Sequence, residues 1–339
     1  MSGQAPAPPP GDGPPVDLLV VGAGPTGISI GAEARRETLR PLLVDKGPLL
    51  AHLLEFPRDM VFFTTRERLE IAGIPFSIPE PKPTRRQAIA YYHSVARAYE
   101  LPLALHQRVV GIDRHDSDFL VTTRGVRGER RYAARAVALA TGYFDGPRRL
   151  GVPGEDLSHV RHRFVEPYAH FGESVVVVGG GNSAVEAAME LWRGGARVTL
   201  LARGPTVKPS VKYWLRPDFE NRVAEGSIAA RYETVVTGLA DGGVRARGPE
   251  GDTELVADAV YVLIGYEPDV ELQRRAGIEV DPLTLVPTFD AESCEANVPG
   301  VYIAGTLQAG RDTHRIFIEN SRDHSRRIVE HLKARLRRA

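Results

Sequence analysis

Two glycine clusters and one acidic residue carry most of the chemistry open to this chain of 339 residues. The first cluster, Gly22-Ala-Gly24-Pro25-Thr26-Gly27, follows the apolar run Leu18 to Val21. Gly22 permits a tight turn, and Gly24 lets the backbone approach a pyrophosphate. Gly27 lets the next helix pack closely on its strand, so that the amides at its N-terminus can hold phosphates. Asp45 ends the apolar run Pro41 to Val44, where a carboxylate can accept from a ribose hydroxyl. The second cluster, Gly179-Gly-Gly181-Asn182-Ser183-Ala184, follows Val175 to Val178, with alanine in the third small position. Here the place of Asp45 is taken by Ala202, followed by Arg203. A carboxylate would repel a 2′-phosphate, whereas alanine beside arginine leaves room and supplies a charge-assisted donor. The first site therefore suits an adenosine with a free ribose, and the second suits NADPH. Two dinucleotides in one chain imply hydride passing between them, and the usual pair is NADPH and FAD.

Other reactive side chains are scarce. Cys294 is the only cysteine, so no disulfide or internal dithiol can form, which fits a cytoplasmic setting. Its acidic neighbours in Asp290-Ala-Glu-Ser-Cys-Glu-Ala-Asn297 would suppress thiolate, so no catalytic role is expected for it. His159, His162 and His170 read as linker histidines, and Lys208 and Lys212 as surface lysines. The 43 basic and 43 acidic residues balance, so no polyanionic partner such as nucleic acid is implied. No apolar run reaches membrane-spanning length, and no signal-peptide core begins the chain. No metal set is expected, and a homo-oligomer is left open.

The elements that must position these residues repeat. Residues 1–15, rich in Pro, Gly and Ala, read as a disordered tail. Residues 16–45 read as strand, glycine turn, helix and strand. The apolar segment from Lys46 to Thr84 is expected to lie over the first domain. A helix is expected from Thr84, its N-cap, to Tyr99, with Ala88, Tyr91, Tyr92, Val95 and Ala98 buried; the tyrosines then serve core packing. An antiparallel meander over 103–132 leads to the strand Ala136 to Ala140, which runs into Thr141-Gly142. From Ser174 the order restarts: strand, glycine turn, helix, strand, a meander over 229–256, and the strand Ala259 to Ile264 running into Gly265. Val301-Tyr-Ile-Ala-Gly305-Thr306 is again strand into glycine, and a last helix is expected from Thr313 to Arg337. The fold class is α/β with two Rossmann-like dinucleotide-binding domains, the second inserted into the first. The FAD-binding domain is placed at 16–149 and 271–335, and the NADPH-binding domain at 150–270.

This order and its motifs resemble the two-dinucleotide-domain flavoproteins of the thioredoxin-reductase type, and within them the bacillithiol-disulfide reductase family (YpdA type). The stretches that carry the likeness are Gly22-Ala-Gly-Pro-Thr-Gly27, Phe62-Phe-Thr-Thr65, Ala140-Thr-Gly-Tyr143, Gly181-Asn-Ser-Ala184, Ile264-Gly-Tyr-Glu-Pro-Asp269, Tyr302-Ile-Ala-Gly305 and Ile316-Phe-Ile-Glu-Asn320. The resemblance implies FAD along Gly22 to Gly27, Asp45 with Lys46, Val109 and Thr141-Gly142. Gly265, Gly305 and Thr306 complete the cofactor-lining set, and the flavin edge meets the start of the last helix at Arg315, Ile316 and Phe317. Three departures stand out. Thioredoxin reductases carry a CxxC pair that this chain lacks. The bacillithiol family typically has cysteine where Thr26 stands, and a threonine hydroxyl cannot replace a thiolate nucleophile. Many relatives have aspartate after the glycine matching Gly305, to bind the ribityl chain, where this chain has Thr306.

The expected activity is NADPH-dependent, FAD-mediated reduction of a small thiol-disulfide such as bacillithiol disulfide. Three alternatives are a ferredoxin or flavodoxin reductase with a small redox protein as acceptor, a flavin monooxygenase, and a redox sensor without turnover. No side chain is assigned a catalytic role, and Thr26 is expected to bond to the pyrophosphate or to a backbone group.

Overall fold

The computed structural model describes residues 14–338, so the tail expected at 1–15 lies almost wholly outside the described residues. The chain divides into two compact units. One comprises residues 1–55, 59–146 and 267–339; the other comprises 56–58 and 147–266.

The first unit begins with β1 (Leu18–Val21), α1 (Pro25–Arg36) and β2 (Pro41–Val44). Every residue of both strands is buried, so their apolar runs are the side chains of a parallel sheet covered on both faces. Next come α2 (Arg85–Ala98) and the short β3 (Leu103–Ala104). Thr84 caps α2 through a reciprocal capping box with Gln87. Tyr91 and Tyr92 face inward as core residues. Tyr91 donates to the Ile74 carbonyl and accepts from the Ile71 amide, which ties down the apolar segment that precedes the helix. Ala98 is exposed, contrary to expectation; the helix turns its buried face to Ala96 instead. An antiparallel meander of β4 (Gln107–His115), β5 (Asp118–Gly125) and β6 (Gly128–Ala134) leads to β7 (Val137–Leu139). The residues at 103–104 pair in parallel with β2 and so belong to the main sheet, not to the meander.

The second unit holds β8 (Val160–Arg161), β9 (Ser174–Val178), α3 (Asn182–Arg193), β10 (Arg197–Leu201) and β11 (Ala229–Arg231). A meander of β12 (Val235–Ala240), β13 (Gly243–Gly248) and β14 (Gly251–Val256) precedes β15 (Ala259–Val262). Its parallel sheet has the order β11-β10-β9-β15-β8. The expected meander over 229–256 therefore starts later: residues 229–231 form the parallel edge strand, and only β12 to β14 are antiparallel. His170 is a core residue, not a linker one; its ring bonds to the Tyr261 hydroxyl at 2.8 Å and to Glu173 at 2.6 Å.

The chain then returns to the first unit with β16 (Val301–Ile303) and α4 (Asp323–Leu336). β16 pairs with β7, which completes the order β16-β7-β1-β2-β3. The last helix is ten residues shorter at its start than the expected Thr313 to Arg337, beginning at Asp323. Residues 311–322 are turns held by local bonds that compete with a helix ladder. Asn320 accepts from the Phe317 amide at 2.7 Å and donates to the Arg315 carbonyl at 2.8 Å. Among the described residues, no helix is long and apolar enough to cross a membrane.

Candidate functional site

In the first unit the three fingerprint glycines are required for different reasons. Gly22 has φ +111°, and a Cβ there would overlap the Ala140 carbonyl at the end of β7. A Cβ on Gly27 would overlap the Gly22 carbonyl, so helix and strand meet only through glycine. Gly24 differs, because no heavy atom lies within 4 Å of where its Cβ would be. Its smallness is demanded by nothing in the chain and fits a ligand that approaches the backbone. Gly24 is also the N-cap of α1, with no side chain capping the first turn, and Pro25 opens the helix. The unpaired amides of that turn form an anion site of the kind a pyrophosphate takes.

Asp45 braces the same turn. One carboxylate oxygen accepts from the Ala23 amide at 2.7 Å and the other from the Gly47 amide at 2.8 Å. Each oxygen keeps a further lone pair for a ribose hydroxyl. Lys46 points elsewhere and pairs with Asp145 at 2.5 Å. The second oxygen of Asp145 lies 3.0 Å from His52 Nε2. Burial pushes the Asp145 carboxyl up, but the bonds from His52 and Lys46 outweigh it and hold the group well below the usual carboxylate range.

Gly142, with φ +70°, follows β7; a Cβ there would come into ordinary contact with Thr306 Oγ1 at 3.5 Å and His52 Nδ1 at 3.9 Å. The neighbouring Thr141 hydroxyl is buried without a hydrogen-bond partner among the described residues. Gly305 (φ +67°) and Thr306 start the short 3-10 turn after β16. The Gly305 amide donates to His324 Nδ1 at 3.1 Å. Thr26 lies against Gly305, and its hydroxyl is 3.5 Å from the Ser321 hydroxyl rather than bonded to a backbone group. The structure thus brings Thr26, Gly305 and Ser321 together on one side of the turn, with Gly142, Thr306 and His52 grouped in the same unit. Val109 is a buried strand residue of the meander core. Arg315 and Phe317 are exposed and Ile316 half-buried, all in turns rather than on the last helix.

The second unit repeats the turn. Gly179 has φ +144°, and a Cβ there would overlap the Leu263 carbonyl and come 3.0 Å from Ala184 Cβ, so the third position must be small too. Gly181 caps α3 without a side-chain cap, and the nearest atom to its absent Cβ is Lys208 Cδ at 4.0 Å. Asn182 does not face outward freely; its amide oxygen accepts from the Lys212 backbone at 2.9 Å and its nitrogen donates to the Ser210 carbonyl at 3.1 Å, which pins the loop beyond β10. Ser183 is exposed. Lys212 pairs with Glu186. Ala202 is buried at the end of β10, and the exposed Arg203 beside it has no hydrogen-bond or ion-pair partner among the described residues. Gly265 has φ +105° and stands after β15 as Gly142 stands after β7.

His52, Asp145, Ser321 and His324 were not singled out by the sequence reading. Each earns its place through a contact far away along the chain, and none lies in a glycine motif.

Two glycine turns of this build, each on its own parallel sheet, define a protein with two dinucleotide-type folds. The chain belongs to the pyridine nucleotide-disulphide oxidoreductase family, which matches residues 19–305. It is 36% identical over 321 residues to the bacilliredoxin reductase Bdr of Bacillus subtilis, covering 94% of this chain and 97% of the relative. The bacillithiol disulfide reductase Bdr (YpdA) of Bacillus cereus has the same fold with a TM-score of 0.92 at 33% identity, over 95% of this chain and all of that one. The Staphylococcus aureus protein of that name gives 0.89 at 33%, over 94% and 98%. The protein is thus an enzyme of the disulfide-reductase-like flavoprotein class that uses a flavin and a nicotinamide nucleotide. These likenesses favour that reading over a ferredoxin reductase, a monooxygenase or a sensor.

Proposed function

We propose that the protein is an NADPH-dependent FAD enzyme that reduces a small thiol-disulfide of the bacillithiol type or the mixed disulfide of a small redox protein. The single observation that carries the cofactor part is the pair of glycine turns, of which Gly24 and Gly181 are open where the chain itself would tolerate a side chain. FAD fits the first turn, with its pyrophosphate at Gly24 to Gly27 and a ribose at Asp45; Lys46 serves it only through Asp145. NADPH fits the second, with Arg203 as donor to the 2′-phosphate. Bound together, the cofactors supply hydride transfer from nicotinamide to flavin. The chain's own residues bind and orient them, and Cys294 takes no part, being buried with its thiol pushed up by that burial.

The acceptor rests on the likeness to proteins described as reductases of bacillithiol disulfide and bacilliredoxin. Thr26 stands at the start of α1 where a thiol would be expected for attack on a disulfide, and its hydroxyl ionises far too weakly for that role. The test is Thr26→Cys. With the flavin reduced anaerobically by NADPH, bacillithiol disulfide should reoxidise the natural protein and should do so faster in the variant, with flavin reduction unchanged; a reduced flavin that the disulfide leaves unoxidised would overturn this acceptor. A normal enzymatic rate in the natural protein would show that its disulfide chemistry needs no thiol at position 26.

A further inference from the structure

Beside the nucleotide turn of the first unit stands a polar chain that no motif announces: Lys46, Asp145 and His52, ending at Gly142. Lys46 Nζ and His52 Nε2 occupy the two oxygens of Asp145, at 2.5 and 3.0 Å. Each oxygen of Asp145 thus has one donor, and its charge is already met by the lysine. Histidine's two ring nitrogens are distinct, and the bond made by one fixes what the other can do. In the tautomer that gives Nε2–H to Asp145, the lone pair of the ring lies on Nδ1. That atom has no partner among the described residues, and neither has Thr306 Oγ1. Both look onto the space left by the absent side chain of Gly142, 3.9 and 3.5 Å from where a Cβ would be. Gly142 is held at φ +70°, a conformation that residues with side chains rarely adopt. An acceptor and a hydroxyl converging on one glycine suit a ligand that carries several hydroxyls.

We propose that His52 is a further flavin-binding residue, accepting through Nδ1 from a hydroxyl of the ribityl chain, with Lys46 and Asp145 as positioning residues that hold its ring. Asp45 already serves the adenosine ribose in the proposed reading on which this inference rests, which leaves the ribityl hydroxyls for His52 and Thr306.

Three variants separate facing the ligand from holding the fold. Glutamine at 52 can keep the bond to Asp145 and loses the Nδ1 acceptor. Asparagine places an oxygen where Nδ1 stands and gives up Asp145. Alanine removes both. The full-length chain, freed of flavin, is titrated with FAD by fluorescence quenching and with ADP by calorimetry, and its melting temperature is taken without ligand. His52→Gln and His52→Ala should weaken FAD about tenfold and leave ADP unchanged, while His52→Asn should recover most of the affinity. The flavin-free melting temperature of His52→Gln should match that of the natural chain. Unchanged FAD affinity in His52→Gln would overturn the proposal, as would an equal loss of ADP, which would place the contact on the adenosine half. Failure of the natural chain to take up FAD would instead overturn the FAD assignment itself.

Discussion

Replacing Arg203 by alanine should separate the two nicotinamide cofactors. The guanidinium stands exposed after β10, next to the buried Ala202, and has no partner among the described residues. Its removal therefore leaves no buried group unpaired, and the melting temperature should stay within about a degree or two. A charge-assisted contact to a phosphate contributes about 1.5 to 3 kcal/mol, and solvent exposure puts this one at the lower end. At about 1.4 kcal/mol per decade, the apparent KM for NADPH should rise roughly tenfold, with NADH nearly unaffected. Lys208, whose chain lies 4.0 Å from the Cβ place of Gly181, is the second cation at this turn. Arg203→Ala with Lys208→Ala should widen the loss further for NADPH alone. The assay is anaerobic stopped-flow bleaching of the flavin over a range of each cofactor. Equal loss with NADPH and NADH would refute the reasoning and make Arg203 a residue of the fold.

Three other outcomes are expected. Gly24→Val should fold, because no chain atom lies within 4 Å of the new Cβ, yet purify without flavin; a yellow variant would contradict the pyrophosphate reading. Cys294→Ser should keep its NADPH-dependent reductase rate, and the natural thiol should resist Ellman's reagent until unfolding, since burial raises its pKa and only 1% of the residue is exposed; rapid labelling of the folded protein would be the contrary result. Burial, helped by Arg327, depresses His324 to about 4, so the folded chain keeps a neutral ring to accept from Gly305. Because the unfolded ring takes up its proton near pH 6.5, stability is full above that pH and falls towards pH 4 by at most roughly 3 kcal/mol. His324→Asn should flatten that slope in denaturant titrations, and an unaltered slope would show that other groups cause it.

Both glycine turns were legible in the chain because their geometry is local. Gly22 and Gly179 need positive φ, Gly27 and Ala184 must be small, and each requirement falls within six residues of sequence. The strands were legible for a like reason: a strand buried on both faces leaves an unbroken apolar run, as in Leu18–Val21 and Val175–Val178. What escaped was set by distance along the chain. His52 meets Asp145 across 93 positions, and Thr26 meets Ser321 across 295, with no period or spacing to mark either pair. The start of the last helix escaped because Asn320 spends its side chain on local turns, a competition that propensity alone does not resolve. His170 looked like a linker residue because its partner Tyr261 lies on β15, 91 positions away.

The most direct test of the central claim is anaerobic titration of the purified protein with NADPH while the visible spectrum is followed. The account predicts a yellow protein whose bound FAD is bleached rapidly and stoichiometrically by NADPH, and more slowly by NADH at equal concentration. A colourless protein that takes up no FAD, or a bound flavin that NADPH leaves oxidised, would contradict it.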